Sequence, residues 1–213
     1  MARIKLGNVR TPIEYLKQFF APAGYGLGSF GVGTTDLDTN TKGGIYSFTE
    51  GCKNSPFSYG VVLVLNRYDV DVVQIVFNVS MKDGYEGGSI ARRIQVEGEW
   101  HEWEYFNPPM HPGVEYRTTE RWQGRPVYYK VVDFGGLPNA TTATVPIGAE
   151  NIGWAFLDLS KSWAGPASDL ATNYLPNCAN ITEIVIRDGK ISITTNISMT
   201  GTLAYIAVKY TKN

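Results

Sequence analysis

The sequence predicts an all-β protein, and three observations support this prediction. Short runs of β-branched and aromatic residues recur along the chain, separated by turns rich in Gly, Asn and Asp. Glycine is frequent, at 23 of 213 residues, and aromatic residues make up 13% of the chain. Only one short segment carries the start signals of a helix. Together these features indicate a small antiparallel domain followed by a jelly-roll-like β-sandwich.

The charge balance argues against two classes of function. The chain has 19 Lys and Arg against 20 Asp and Glu, which gives a formal net charge of −1. Duplex-binding proteins and proteins bound to membrane surfaces usually carry a basic surface, and no basic run occurs here. We therefore expect no nucleic-acid partner and no membrane insertion. The opening segment lacks the apolar stretch of a secretory signal, so we expect synthesis in the cytosol.

The helix signal lies near the N-terminus. Thr11 can cap a helix that begins with proline, and Glu14 stands three residues after that cap. Ile13, Leu16 and Phe20 then fall on one helical face. A helix of about ten residues is marginal alone in water, so this face must pack on its own chain or on a neighbouring subunit.

The strand pattern begins soon after a glycine-rich connector. Residues 60–66 form a continuous apolar run, typical of a strand buried on both faces or near a domain centre. The following strand has a period of two, because Val73, Ile75, Phe77 and Val79 alternate with Gln74 and Asn78. The first half of the chain is therefore predicted to form a compact β-domain.

The clearest local signal lies near the end of the chain. Asp188-Gly189 separates two β-prone runs, as a two-residue type I′ hairpin requires. This turn would pair Ile186 with Ile191 and Ile184 with Ile193, placing all four side chains on one face. A last strand is predicted near 203–210.

The domain boundaries follow from composition. Residues 107–113 contain three prolines, which stiffen a segment and remove hydrogen-bond donors, so a linker is predicted there. The predicted organisation is a helix and glycine-rich connector over 1–33, a small antiparallel β-domain over 34–106, this linker, and a β-sandwich domain over 114–213.

A long irregular segment at 160–179 is the predicted ligand-binding region. It is too polar for a strand and longer than ordinary connections, which in compact domains often indicates function. Trp163, Asp169, Asn173 and Tyr174 combine rigid aromatic rings with short polar groups, a set suited to binding. The alternative is a packed Ω-loop that covers the edge of the sandwich.

No catalytic, metal or cofactor site is predicted. The two histidines, His101 and His111, lack ligands or triad partners at recognisable spacing, and Cys52 and Cys178 lie far apart. Trp100 and Trp103 have two interpretations: they could stack on sugar rings, or they could anchor a domain junction.

Several segments resemble the pyocin-knob family and the glycine-rich connector that precedes knob domains in phage tail-fibre proteins. The likeness covers roughly residues 34–106. The segments that carry it are Phe20–Gly28, Thr35–Thr39, Gly44–Tyr46, Tyr59–Val64, Val73–Phe77 and the Trp100-His101-Glu102-Trp103 ending. The insert at 82–88 and Arg92-Arg93 depart from the family pattern. Residues 113–128 resemble a C-terminal module of tail-fibre and tail-tip proteins.

This resemblance implies a homotrimeric virion tail component of a phage or a phage-tail-like bacteriocin. It would adhere to the host cell surface through a glycan or protein receptor, contact other tail or baseplate proteins, and catalyse nothing. Ile13, Leu16 and Phe20 would then be buried between subunits about a three-fold axis. The alternatives are a depolymerase that cuts surface polysaccharide and a purely structural baseplate component.

Overall fold

The chain divides into two compact units, Met1–Asn107 and Pro108–Asn213. The computed structural model describes residues 33–67, 71–79, 88–166 and 180–213. Within these ranges the chain is almost entirely β-structure, with two short 3-10 turns, so the all-β prediction is confirmed. No helix in these ranges is long and apolar enough to cross a membrane. The predicted N-terminal helix lies outside the described residues.

The first unit is a mixed sheet with the order β1-β2-β3-β4-β5-β7, and β6 pairs with β5. Its strands are β1 Gly33–Asp36, β2 Gly44–Lys53, β3 Gly60–Arg67, β4 Asp71–Asn78, β5 Ile90–Val96, β6 Glu99–Trp100 and β7 Glu104–Tyr105.

One pair of strands departs from the predicted antiparallel arrangement. β1 runs parallel to the second half of β2, with Gly33 opposite Ser47 and Asp36 opposite Lys53. The 3-10 turn Leu37–Thr39 lies between these strands, and the Asp36 carboxylate accepts a hydrogen bond from the Asp38 amide at 3.0 Å. At this capped turn the chain begins to fold back toward the start of β1. The next strand, β2, can therefore run beside β1 in the same direction.

The strand β4 alternates as predicted, but its inward face is the partly polar one. Val72, Gln74, Val76 and Asn78 are buried, whereas Phe77 and Val79 are exposed. In β3, Val62 and Val64 are buried while Leu65 is half exposed, so this strand buries one face fully rather than both. Hydrogen bonds to Gln74, described below, explain why a polar residue is tolerated inside.

The second unit is built from two sheets. The larger has the order β8-β9-β15-β11, with β12 also paired to β15, and the smaller has the order β10-β14-β13. The strands are β8 Glu115–Trp122, β9 Arg125–Gly136, β10 Thr142–Pro146, β11 Ile152–Leu157, β12 Trp163–Pro166, β13 Ile181–Arg187, β14 Lys190–Thr195 and β15 Thr202–Lys212.

A single apolar core joins these two sheets into a sandwich. Val132 and Phe134 of β9 and Ile206 and Val208 of β15 belong to the same buried cluster as Ile191 and Ile193 of β14. Because all these side chains leave water together, the two sheets stabilise each other.

The proline-rich segment packs on the other face of the larger sheet. Gly113 donates its amide hydrogen to the Val131 carbonyl at 2.8 Å, and Met110 packs against a small buried cluster of Tyr129, Val131 and Ala207. The segment after Asn107 is therefore anchored to the second unit by a backbone hydrogen bond and by apolar contact.

The predicted hairpin is confirmed in position, register and face. Ile186 pairs with Ile191 and Ile184 with Ile193, and all four side chains belong to the sandwich core or pack against it. Asp188 and Gly189 have φ values of 51° and 68°, the two positive angles of a type I′ turn.

We expect Gly189→Ala to destabilise the second unit by about 1 kcal/mol, because an alanine side chain disfavours the left-handed backbone. A Cβ atom at this position would meet Ile152 Cδ1 at an ordinary 3.8 Å, so the backbone angle is the main cost. Thermal unfolding followed by circular dichroism measures the effect. Gly201→Ala is the control, since its Cβ would meet nothing within 4 Å and its φ is not positive. Equal melting temperatures for the two variants would contradict the prediction.

Candidate binding surface

Of the residues predicted to bind a ligand, the structure describes Trp163 alone. Asp169, Asn173 and Tyr174 lie outside the described residues, as do Cys178 and the predicted interface residues Ile13, Leu16 and Phe20. Trp163 stands in β12 opposite Tyr205, with 5.7 Å between the ring centroids. Its indole is half buried and its Nε1 atom is buried without a hydrogen-bond partner. The binding role of this set remains a prediction.

Trp100 and Trp103, the tryptophans of the first unit, enclose an arginine. The Arg93 guanidinium lies over the Trp100 ring at 4.0 Å and over the Trp103 ring at 4.5 Å from the ring centroids. Both indole nitrogens donate to backbone carbonyls, Trp100 to Asp38 at 3.3 Å and Trp103 to Asn54 at 3.0 Å. This geometry favours a structural role for both rings, because their polar atoms and one face of each are already engaged.

Arg93 also connects the strands of the first unit through buried polar contacts. Its Nε donates to Gln74 Oε1 at 2.9 Å, and its Nη1 lies 2.6 Å from Asp38 Oδ1. Gln74 is completely buried and donates to the carbonyls of Leu37 and Asn40 at 2.7 and 2.9 Å. Burial lowers the pKa of Arg93, while the hydrogen bond and charge of Asp38 oppose that shift. The network fixes the turn after β1 against the sheet.

An exposed aromatic cluster lies on the second unit. The rings of Trp122 and Trp154 stack face to face, with centroids 4.2 Å apart and planes within 3°. Phe156 packs against Trp154 with a centroid distance of 4.5 Å. Trp122 and Trp154 remain 42% and 37% exposed, although tryptophan is usually a well-buried residue.

Local structure explains how these rings meet. Trp122 ends β8 just before a tight turn in which Gln123 and Gly124 have positive φ values of 49° and 79°. Trp154 and Phe156 are two residues apart in β11, so their side chains project from the same face. The rings therefore stand on regular strands and a tight turn, which hold them in fixed positions.

A charged pair adjoins the rings. Lys209 Nζ contacts both carboxylate oxygens of Glu120, at 2.7 and 2.9 Å. Lys209 stands directly opposite Phe156 in the ladder between β11 and β15. We call Trp122, Trp154 and Phe156, together with Glu120 and Lys209, the aromatic surface. It offers flat apolar faces beside hydrogen-bonding groups whose opposite charges balance.

A second charged cluster holds the same strands together. Tyr210 and Lys212 of β15 both donate to the carboxylate of Glu115 in β8, and Lys212 lies 4.4 Å above the Tyr128 ring. Burial raises the pKa of the Tyr210 hydroxyl, and its hydrogen bond to Glu115 adds to this shift. Among the described residues, no group of three or more His, Cys, Asp or Glu side chains is placed to hold a metal ion.

The aromatic surface was not predicted from the sequence. One signal was present, since Trp154 and Phe156 are two residues apart within a β-prone run and must share a face. The contact with Trp122 could not be inferred, because β8 and β11 are separated in the sheet by β9 and β15.

Comparison with known proteins finds tail fibres among solved structures. No protein family matches this chain, and no curated protein matches its sequence. The R1 pyocin fibre of P. aeruginosa is 12% identical with a TM-score of 0.30, and the alignment covers 84% of this chain and 66% of the other. An N-truncated R2-type pyocin tail fibre is 13% identical with a TM-score of 0.28, covering 83% and 94%. The R2 pyocin fibre of P. aeruginosa is 12% identical with a TM-score of 0.30, covering 85% and 68%.

Proposed function

We propose that this chain is a receptor-binding component of a tail fibre, from a phage or a phage-tail-like bacteriocin, that adheres to glycans on the host surface. The sequence resemblance given above suggests the class of protein. The aromatic surface is the observation that supports binding. In this proposal the chain acts as a homotrimer alongside other tail proteins and catalyses no reaction.

The chemistry of the aromatic surface suits a sugar. A pyranose ring has an apolar face of C–H groups, which packs well on an exposed indole, and hydroxyl groups around its edge. Glu120 can accept hydrogen bonds from such hydroxyls and Lys209 can donate to them, while both stand beside the rings. Sites for small ligands commonly combine apolar walls with a few placed polar groups.

Weak single sites are sufficient for adhesion when they are repeated. Several identical subunits held together present several copies of the aromatic surface to one cell. The second contact is then intramolecular, so total affinity exceeds that of one site by orders of magnitude.

We expect Trp154→Ala to weaken adhesion at least tenfold, since it removes the ring that contacts both Trp122 and Phe156. A tenfold loss corresponds to about 1.4 kcal/mol. Fluorescently labelled full-length chain is titrated onto host cells, and bound fluorescence is measured by flow cytometry. The control is Ile197→Ala, which removes an apolar side chain of the second unit that is 48% exposed.

Three outcomes would contradict the proposal. Unchanged binding by Trp154→Ala would show that the aromatic surface is not part of the adhesion site. Absence of binding to every candidate host would favour the purely structural alternative. Release of oligosaccharide from purified host glycans would favour the depolymerase, because an adhesin releases none.

A further inference from the structure

The first unit carries a second exposed surface, which is apolar. β2, β3, β4 and β5 are adjacent strands, and the residues that face away from their core align in rows across them. One row is Ile45, Leu63, Ile75 and Arg92; the next is Ser47, Val61, Phe77 and Ile90; the third is Leu65, Val73 and Ile94. We call these three rows the outer face of the first sheet. Nine of its eleven residues are apolar.

Part of this outer face is exposed to solvent within the part of the chain that the structure describes. Leu65 is 50% exposed, Phe77 41% and Ile94 40%, while the residues between them are half buried by their neighbours. Antiparallel sheets with one face in water normally place polar residues on that face. The first sheet does the opposite, since its polar Gln74 and Asn78 point inward.

The outer face presents no net charge to a partner. Its single charged residue, Arg92, is 3.2 Å from Glu104 Oε2, and its guanidinium lies 5.9 Å from the Phe106 ring centroid. Ser47 is the other polar member. A partner surface that binds here therefore has to be apolar, and it needs no charged groups, because the charge of Arg92 is already balanced by Glu104.

The outer face is about as large as the apolar centre of a protein–protein interface. Four strands about 4.8 Å apart and about seven residues long cover roughly 400 Å² in projection. Monomeric proteins rarely expose apolar patches larger than a few hundred Å². A standard interface involves about 20 to 30 residues on each side, so these eleven would form its apolar core within a polar rim.

We propose that the outer face of the first sheet is the surface through which copies of this chain associate. Apolar interface cores are typical of assemblies of identical subunits, whereas transient partners use more polar surfaces. This inference rests on the self-association in the proposed function but not on glycan binding, since the aromatic surface lies on the other unit.

The test compares masses in solution by sedimentation velocity from about 1 to 100 μM. The native full-length chain is expected to form a defined oligomer. The double variant Phe77→Thr and Ile94→Lys should raise the dissociation constant at least tenfold. Both residues are exposed, and threonine keeps the β-propensity of its position, so the fold should be retained, which circular dichroism verifies. Ile197→Lys is the control, because its exposure is similar but it lies on the second unit.

A second measurement needs no variant. Hydroxyl-radical footprinting of the native chain should label Phe77 and Leu65 less at 100 μM than at 1 μM. A native chain that stays monomeric, or a double variant that associates as the native chain does, would overturn the proposal. So would footprinting that does not change with concentration. A native chain that associates but binds no host cell would instead count against the proposed function alone.

Discussion

Arg93→Ala is expected to destabilise the first unit by about 3 kcal/mol, which is less than the loss of one partner from a fully buried ion pair costs, because the Asp38 side chain is 39% exposed. The variant loses the contact with Asp38 and both cation–π contacts. It also leaves Gln74 Oε1 buried without its donor. Urea unfolding followed by tryptophan fluorescence measures this loss, because Trp100 and Trp103 report directly on the site.

The control for Arg93 is Arg67→Ala. The Arg67 side chain is 75% exposed and its ion pair with Asp71 spans 4.0 Å. Exposed pairs contribute little, so this variant should stay within about 0.5 kcal/mol of the native chain. Arg93→Lys should be intermediate, because it keeps the charge but loses the planar group that stacks between two rings. A loss below about 1 kcal/mol in Arg93→Ala would show that the network does not stabilise the unit.

Gly60→Ala is expected to destabilise the first unit by about 3 kcal/mol, the upper end of the usual cost of overpacking. A Cβ at this position would lie 2.5 Å from Phe48 Cζ and 2.7 Å from the Phe77 carbonyl oxygen. Phe48 is buried in the core and Phe77 belongs to the adjacent strand, so neither neighbour can move without disturbing the sheet. Thermal and urea unfolding both measure the effect.

Gly33→Ala provides the matched comparison for Gly60. A Cβ at Gly33 would meet nothing within 4 Å, and the backbone there does not have a positive φ. The stability of Gly33→Ala should therefore match or slightly exceed that of the native chain, since alanine reduces the conformational freedom of the unfolded chain. Equal stability of the two alanine variants would mean that the contact between β3 and Phe48 is looser than described.

The hairpin at Asp188-Gly189 shows what sequence can predict well. Its turn type, register and buried face all follow from residues close together in the chain, and each was confirmed. The existence of β3 and β4 and the alternation of β4 were predictable for the same reason. Local chemistry determines these features, because each depends on a few neighbouring side chains.

Which of the two faces of β4 is buried could not be predicted from the residues of β4 alone. An alternating strand with one apolar and one partly polar side normally buries the apolar side. Here Gln74 is buried because Arg93, Leu37 and Asn40 offer it partners from distant parts of the chain. Because that face is buried, the apolar face of β4 points outward. This arrangement depends on contacts that form only in the assembled sheet.

The aromatic surface was missed for a related reason. Trp122 and Trp154 are separated by 32 positions, and no periodicity links them. Their stacking depends on the order of four strands and on a tight turn at Gln123-Gly124. Sequence reasoning instead favoured the irregular segment at 160–179, since composition is visible in a sequence and strand order is not.

The position of β15 has a consequence for how the protein is made. This strand pairs with β9, β11 and β12, and five of its residues are completely shielded from water: Ala204, Ile206, Ala207, Val208 and Tyr210. On the ribosome, the larger sheet of the second unit cannot close until residues 202–212 have emerged. The first unit needs no such delay, because β2 to β5 pair in the order of their synthesis. The two units therefore need different lengths of nascent chain, because the first can pair its strands once β5 has emerged and the second only once β15 has emerged.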